Sequence, residues 1–130
     1  IIIFPSGTVS TTLKFYERKS KAFDCEWKKF TSRLIKQTDP AIVPINFPGT
    51  NSLAFQIFSH LSVVLRSSLL FFEIRRRIDS EVDIFVGESF KYSELGTDLS
   101  NDELADMLRT KTYLLDKKYL SAPPYGLDPD

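Results

Sequence analysis

Cysteine is almost missing from this chain. Cys25 is the only one, so no disulfide can form within the 130 residues, a usage compatible with a reducing cytosol. Set among aromatics, Cys25 is expected to be a small buried hydrophobe. With one cysteine and one histidine there is no zinc-ligand spacing. Net charge is missing too, since seventeen Lys and Arg balance seventeen Asp and Glu. A nucleic-acid binder is usually basic overall, so the balance speaks against that class. There is no long hydrophobic run. The nearest, Leu53 to Phe72, is interrupted by Gln56, His60, Arg66 and four serines, whereas a spanning helix needs about twenty mainly apolar residues. That stretch is read as buried or interfacial.

What is present suits one small domain over residues 1–120 with a flexible tail over 121–130. The chain is 42% hydrophobic and 13% aromatic, with Phe favoured, so it can build a core. No internal repeat is visible. The charges are segregated. Residues 14–36 hold eight Lys and Arg against three acids, and residues 79–106 hold nine acids against one Lys. The basic run could meet anionic lipid or phosphate; a plain solvated face has the same pattern.

The opening run Ile1-Ile2-Ile3-Phe4 leads straight into Pro5-Ser6-Gly7-Thr8. It reads as a buried strand breaking into a turn, and an apolar run without alternation suits a strand covered on both faces of a parallel sheet. In open α/β sheets, ligands sit just beyond the carboxyl ends of the strands. Gly7 would admit a ligand close to the backbone, and Ser6, Thr8 and Ser10 would add hydroxyls. An ordinary strand-to-loop turn has the same pattern. A chain that opens inside a buried strand is expected to be part of a longer protein.

Further along, a helix is expected over 24–38. Asp24 caps it, Phe23, Trp27, Phe30, Leu34 and Ile35 form one apolar face, and Thr38-Asp39-Pro40 stops it. Residues 41–47 read as a second strand, with Pro44 implying an edge or a bulge. Asn51 and Ser52 read as a helix cap. Two helices are expected next, Ser52 to Ser59 and Leu61 to Ile78. Leu61, Leu65, Leu69 and Phe72 form the buried stripe of the second, and Glu73 can pair with Arg77. Residues 82–87 make a third strand ending at Gly87. The last helix, over 101–118, starts at a capping box of Ser100 with Glu103 and a staple of Leu99 with Leu104. The fold class expected is therefore α/β. A mainly parallel sheet of at least three strands, near 1–4, 41–47 and 82–87, carries helices through right-handed crossovers.

Phe4-Pro5-Ser6-Gly7-Thr8-Val9-Ser10 resembles the F-P-x-G-x-x-S block of the lysophospholipid/glycerolipid acyltransferase superfamily. Val43-Pro44-Ile45 resembles that family's later V-P-[VI] block. Trp27-Lys28-Lys29-Phe30, Gly49-Thr50-Asn51-Ser52-Leu53-Ala54-Phe55 and Val82-Asp83-Ile84-Phe85-Val86-Gly87 fall in the order of its hemolysin-like, ornithine-lipid-type branch. The resemblance spans roughly residues 1–118 and implies a carboxyl-terminal portion of such an enzyme. It also implies transfer of an acyl group from an acyl thioester, carried by acyl carrier protein or coenzyme A, to a lipid acceptor. The protein would then be cytoplasmic and peripheral on the inner face of a membrane, with no bound cofactor. Phe4, Pro5, Ser6, Gly7, Thr8 and Ser10 would line the acceptor site.

The family's catalytic His, with an acid five positions later, belongs upstream of the first block. His60 has Leu65 at that spacing, so no catalytic residue is expected in this chain, and the chain alone is expected to be inactive. Ser6 and Val9 replace the Glu and Arg of glycerol-phosphate acyltransferases, which removes a phosphate partner. Loss of the upstream half would leave apolar surface open, so a homo-oligomer, most simply a dimer, is expected. A different function class fits the same residues: a non-catalytic lipid- or protein-binding module using the basic and aromatic faces.

Overall fold

The computed structural model describes residues 1–7, 11–12, 22–24, 26–49, 51–52, 55, 58 and 62–117. In chain order the elements are β1 (Thr11–Thr12), β2 (Ala22–Phe23), α1 (Lys29–Thr38), β3 (Ile45–Asn46), α2 (Val63–Arg77), β4 (Phe85–Val86), a 3₁₀ turn (Tyr92–Leu95) and α3 (Asn101–Tyr113). The chain divides into two compact units. The first comprises Ile1–Thr8, Cys25–Pro48 and Ile84–Asp130; the second comprises Val9–Asp24 and Gly49–Asp83.

The first unit is built on α3. Its start is where the Ser-x-x-Glu pattern places it. The Ser100 hydroxyl accepts the Glu103 N–H at 3.2 Å, and Glu103 Oε2 accepts the Ser100 N–H at 2.7 Å. Each bond satisfies a backbone donor that the helix itself cannot. Leu104 and Leu108 then join Ile35 of α1 in the core, with Trp27, Ile42, Phe90, Tyr92, Leu95, Leu99 and Met107 packed around them. The expected roles of Leu99 and Trp27 as packing residues therefore stand.

α1 is shorter than expected and is rotated from the expected face. It begins at Lys29 with Lys28 as its cap, and no side chain bonds there, so Asp24 is not the cap. Thr31, Ser32 and Ile35 face inward, whereas Phe30 is exposed. α1 packs on α3 through Ile35 against Leu104 and Leu108, and on the same side Lys29 reaches Asp102 at 2.8 Å and Lys36 reaches Asp98, just before α3, at 3.5 Å. The helix stops near Pro40 as expected, by a different device. Asp39 adopts the left-handed conformation (φ 40°) and its N–H bonds back to the Ile35 carbonyl at 2.8 Å. The Ser93 N–H and hydroxyl hold the Asp39 carboxylate at 3.0 and 2.7 Å.

Among the described residues no parallel sheet forms, which overturns the α/β expectation. The chain is mainly helical, with three α-helices and only short two-stranded antiparallel pairing among the described residues. Ile1–Phe4 is not a strand and is exposed. The expected strands at 41–47 and 82–87 contract to β3 and β4. These pair antiparallel with each other, Ile45 opposite Val86 and Asn46 opposite Phe85. An isolated bridge joins Ile42 to Phe90. Its register is offset by one residue from that of the β3–β4 pair, so the ribbon carries a bulge beside Gly87. Pro44 sits there without an N–H to extend a ladder, while its carbonyl accepts the Gly87 N–H at 2.9 Å. An antiparallel pair needs no helical crossover and no cover on both faces, so short apolar runs can form it.

Gly87 is required by close approach. A Cβ there would lie 2.7 Å from Pro44 Cγ and 2.9 Å from Leu115 Cδ2. The leucine can move, but the proline ring is tied to the backbone. Gly87→Ala is expected to destabilise the chain by about 1–3 kcal/mol, read from urea denaturation. An unchanged midpoint would show that the ribbon has room to spare.

In the second unit β1 pairs antiparallel with β2, Thr11 opposite Phe23 and Thr12 opposite Ala22. α2 is capped by Ser62, whose hydroxyl accepts the Val64 N–H at 3.2 Å. Ser52 behaves as the expected cap residue, its Oγ accepting the Phe55 N–H at 3.2 Å. Most of the expected helix over 52–59 lies outside the described residues, as do Cys25, His60, Leu61 and the tail over 121–130.

Candidate functional site

The block at the front of the chain forms a turn. The Gly7 N–H bonds to the Phe4 carbonyl at 3.1 Å, and Gly7 takes the left-handed conformation (φ 66°). Proline at the second position presets the bend. The Lys28 N–H bonds to the Pro5 carbonyl at 3.0 Å, which ties the turn to the entry of α1. Ser6 is buried and Phe4 is exposed. Thr8 and Ser10 lie outside the described residues. Of the six expected site residues, Phe4, Pro5, Ser6 and Gly7 are thus gathered in one turn, and it does not follow a sheet strand.

The basic run that looked available for lipid is partly engaged within the first unit. Lys29 and Lys36 face the acidic run through Asp102 and Asp98. Lys36 also donates to the Leu99 carbonyl and lies 5.3 Å from the Tyr92 ring centre. Desolvation works against the Lys36 charge, but the Tyr92 hydroxyl and the Asp98 carboxylate together outweigh it and raise its pKa. The Tyr92 hydroxyl, donating at 3.0 Å, and then Lys36 hold the Asp98 carboxyl below its ordinary value. Asp39 is lowered by the Ser93 hydrogen bonds and Glu103 by those from Ser100.

These three carboxylates set a direction for the pH dependence. Their folded values lie below their unfolded ones, so the stability they contribute is complete above the ordinary carboxylate range. It is lost as the pH falls through that range into the lowered folded values. The melting temperature is expected to drop between neutral pH and about pH 3, with a smaller drop in Asp39→Asn. A melting temperature equal at the two pH values would count against the assignment.

The outward side of α2 is the more unusual surface. Helical spacing puts Val64, Phe71, Ile74 and Ile78 along one side, and all are exposed, Phe71 by 76% and Ile78 by 63%. Phe72, expected in the buried stripe, is 63% exposed next to them. Glu73 points the other way. It is only 8% exposed, and its Oε2 accepts the Ser52 N–H at 3.0 Å. The carboxylate is therefore held inward while the phenylalanines face water. Arg75, Arg76 and Arg77 occupy the last turn, where the negative end of the helix dipole favours cations. The Arg77 guanidinium lies over Gly49, 3.6 Å from where a Cβ would stand. Arg75 and Arg76 are exposed beside the apolar side.

The sequence reading missed this surface because it followed the 61/65/69/72 stripe. A second stripe, 71/74/78, was visible at the same spacing, with the arginines next to it. Among the described residues no group of His, Cys, Asp or Glu is gathered to hold a metal ion, and no helix is long and apolar enough to cross a membrane. Compared with known proteins, the chain matches no family model, no curated protein and no solved structure.

Proposed function

We propose that the chain is a non-catalytic binding module that docks through the outward side of α2. The inversion of that helix carries the reading. Glu73 is held inward by Ser52, while Val64, Phe71, Ile74 and Ile78 face out. Burying an exposed side chain of this kind is worth roughly 1.5–3 kcal/mol. Uncovered apolar patches on a protein surface mark sites of association. The test is binding of a hydrophobic fluorescent dye to the folded chain. Strong emission is expected with the helical circular-dichroism signal intact, falling by more than half in Phe71→Ser/Ile74→Ser. A folded chain that gives no emission would mean that the side is already covered, and the reading fails.

A second reading has one observation in its favour. Phe4-Pro5-Ser6-Gly7 makes a tight glycine turn, which fits an acceptor-site wall in the carboxyl-terminal part of a lipid acyltransferase. Such a parent would use an acyl thioester donor and supply its catalytic His and acid from outside this chain. Transfer assays on a longer parent that carries an intact His–acid pair decide it, and absence of transfer removes it.

A further inference from the structure

We propose that the arginine turn closing α2, Arg75-Arg76-Arg77, is a cleavage site for a trypsin-like serine protease, an enzyme whose acidic specificity pocket takes an arginine. Every residue from Ile74 to Val86 is exposed, thirteen in succession and the longest such run among the described residues. Glu73, held by Ser52, is the last buried side chain before it. Exposed connections of this kind are where proteases nick folded chains. Arg75, Arg76 and Arg77 are the only basic residues in the run and stand at its start.

A protease takes its substrate extended, so the last turn of α2 must open, and little holds it. The Ile78 N–H reaches the Arg75 carbonyl at 3.4 Å, longer than an ordinary hydrogen bond. Asp79 is in the left-handed conformation (φ 62°), a strain that extension relieves. Helix ends fray at small cost, and from Ile78 to Ile84 the chain is neither helix nor strand. Asp79, Glu81 and Asp83 follow the arginines, so they fall on the leaving side of the bond, outside the specificity pocket. Arg77 packs over Gly49 and is nearest those acids, which favours cutting after Arg76. Water adds across that peptide bond, leaving a carboxylate on Arg76 and an amine on Arg77. The first unit draws on both sides of the cut. Ile35 packs on Leu104 and Leu108, β3 pairs with β4, and Lys29 reaches Asp102. The nicked first unit therefore stays assembled.

The experiment is limited digestion of the full folded chain with trypsin, each new end being identified by mass spectrometry. The internal reference is the bond after Arg109, which is 5% exposed within α3 and is reached only when the core opens. Cutting in the arginine turn is expected at least about tenfold faster than cutting after Arg109, with the helical circular-dichroism signal retained. The pieces on either side should co-elute in size exclusion and part in urea. Arg75→Gln/Arg76→Gln/Arg77→Gln should keep the helical signal and lose these cuts, leaving the α2–β4 connection intact. Cutting in the turn no faster than after Arg109 overturns the assignment of the site. Pieces that part without urea overturn the claim that the first unit survives the cut.

Discussion

Replacement of Phe55 by alanine is expected to destabilise the chain by about 3–5 kcal/mol. Among the described residues Phe55 is the largest side chain with no exposure to solvent, and its N–H is held by Ser52. Removing the ring forfeits its transfer energy and leaves a hole that the surroundings fill only in part. Total stabilities of small domains are about 5–15 kcal/mol, so the variant should sit near its unfolding midpoint in little or no denaturant. Urea denaturation followed by circular dichroism reads this directly. Phe71→Ala is the control. The same residue type, exposed on α2, should change stability by no more than about 0.5 kcal/mol. If Phe55→Ala and Phe71→Ala behave alike, the assignment of inside and outside in the second unit is wrong.

Leu104→Ala is the corresponding test in the first unit. Leu104 has no exposure and sits between Ile35 and Leu108, so a loss of about 2–5 kcal/mol is expected. Met107 packs on the same cluster, and its flexible thioether can move toward the space, which favours the lower half of the range. A loss below about 1 kcal/mol, under the usual range for truncating a core leucine, would mean that α3 is not the centre of that unit.

Local chemistry in this chain was legible where it is self-contained. Ser100 and Glu103 mark the start of α3 because a capping box needs only residues within one turn. Pro40 marks the end of α1 for the same reason, although the device is the left-handed Asp39. What depended on distant partners was not legible. Ile1–Phe4 and the runs around Ile45 and Phe85 are apolar enough for a parallel sheet, but periodicity does not say which run pairs with which, or in which direction. Spacing puts Phe30 in the core, but α1 packs on the distant α3 through Ile35, and Phe30 is left in solvent. On α2 two apolar stripes overlap. The hydrogen bond from Ser52 to Glu73, spanning 21 positions, marks the side that faces in. The Phe4–Gly7 turn was legible from Pro5 and Gly7, whereas its setting outside any sheet was not.

The pairing of α1 with α3 has a consequence during biosynthesis. Lys29 and Asp102 are 73 positions apart. At about 5–20 residues per second, the ribosome needs roughly 4–15 s to reach the second after the first. Throughout that interval Trp27 and Ile35 have no α3 to cover them, so the nascent chain emerges with its future interior open. Completion of the first unit therefore waits until α3 has been made, and a chaperone that holds the emerging α1 region is expected to raise the yield of folded protein.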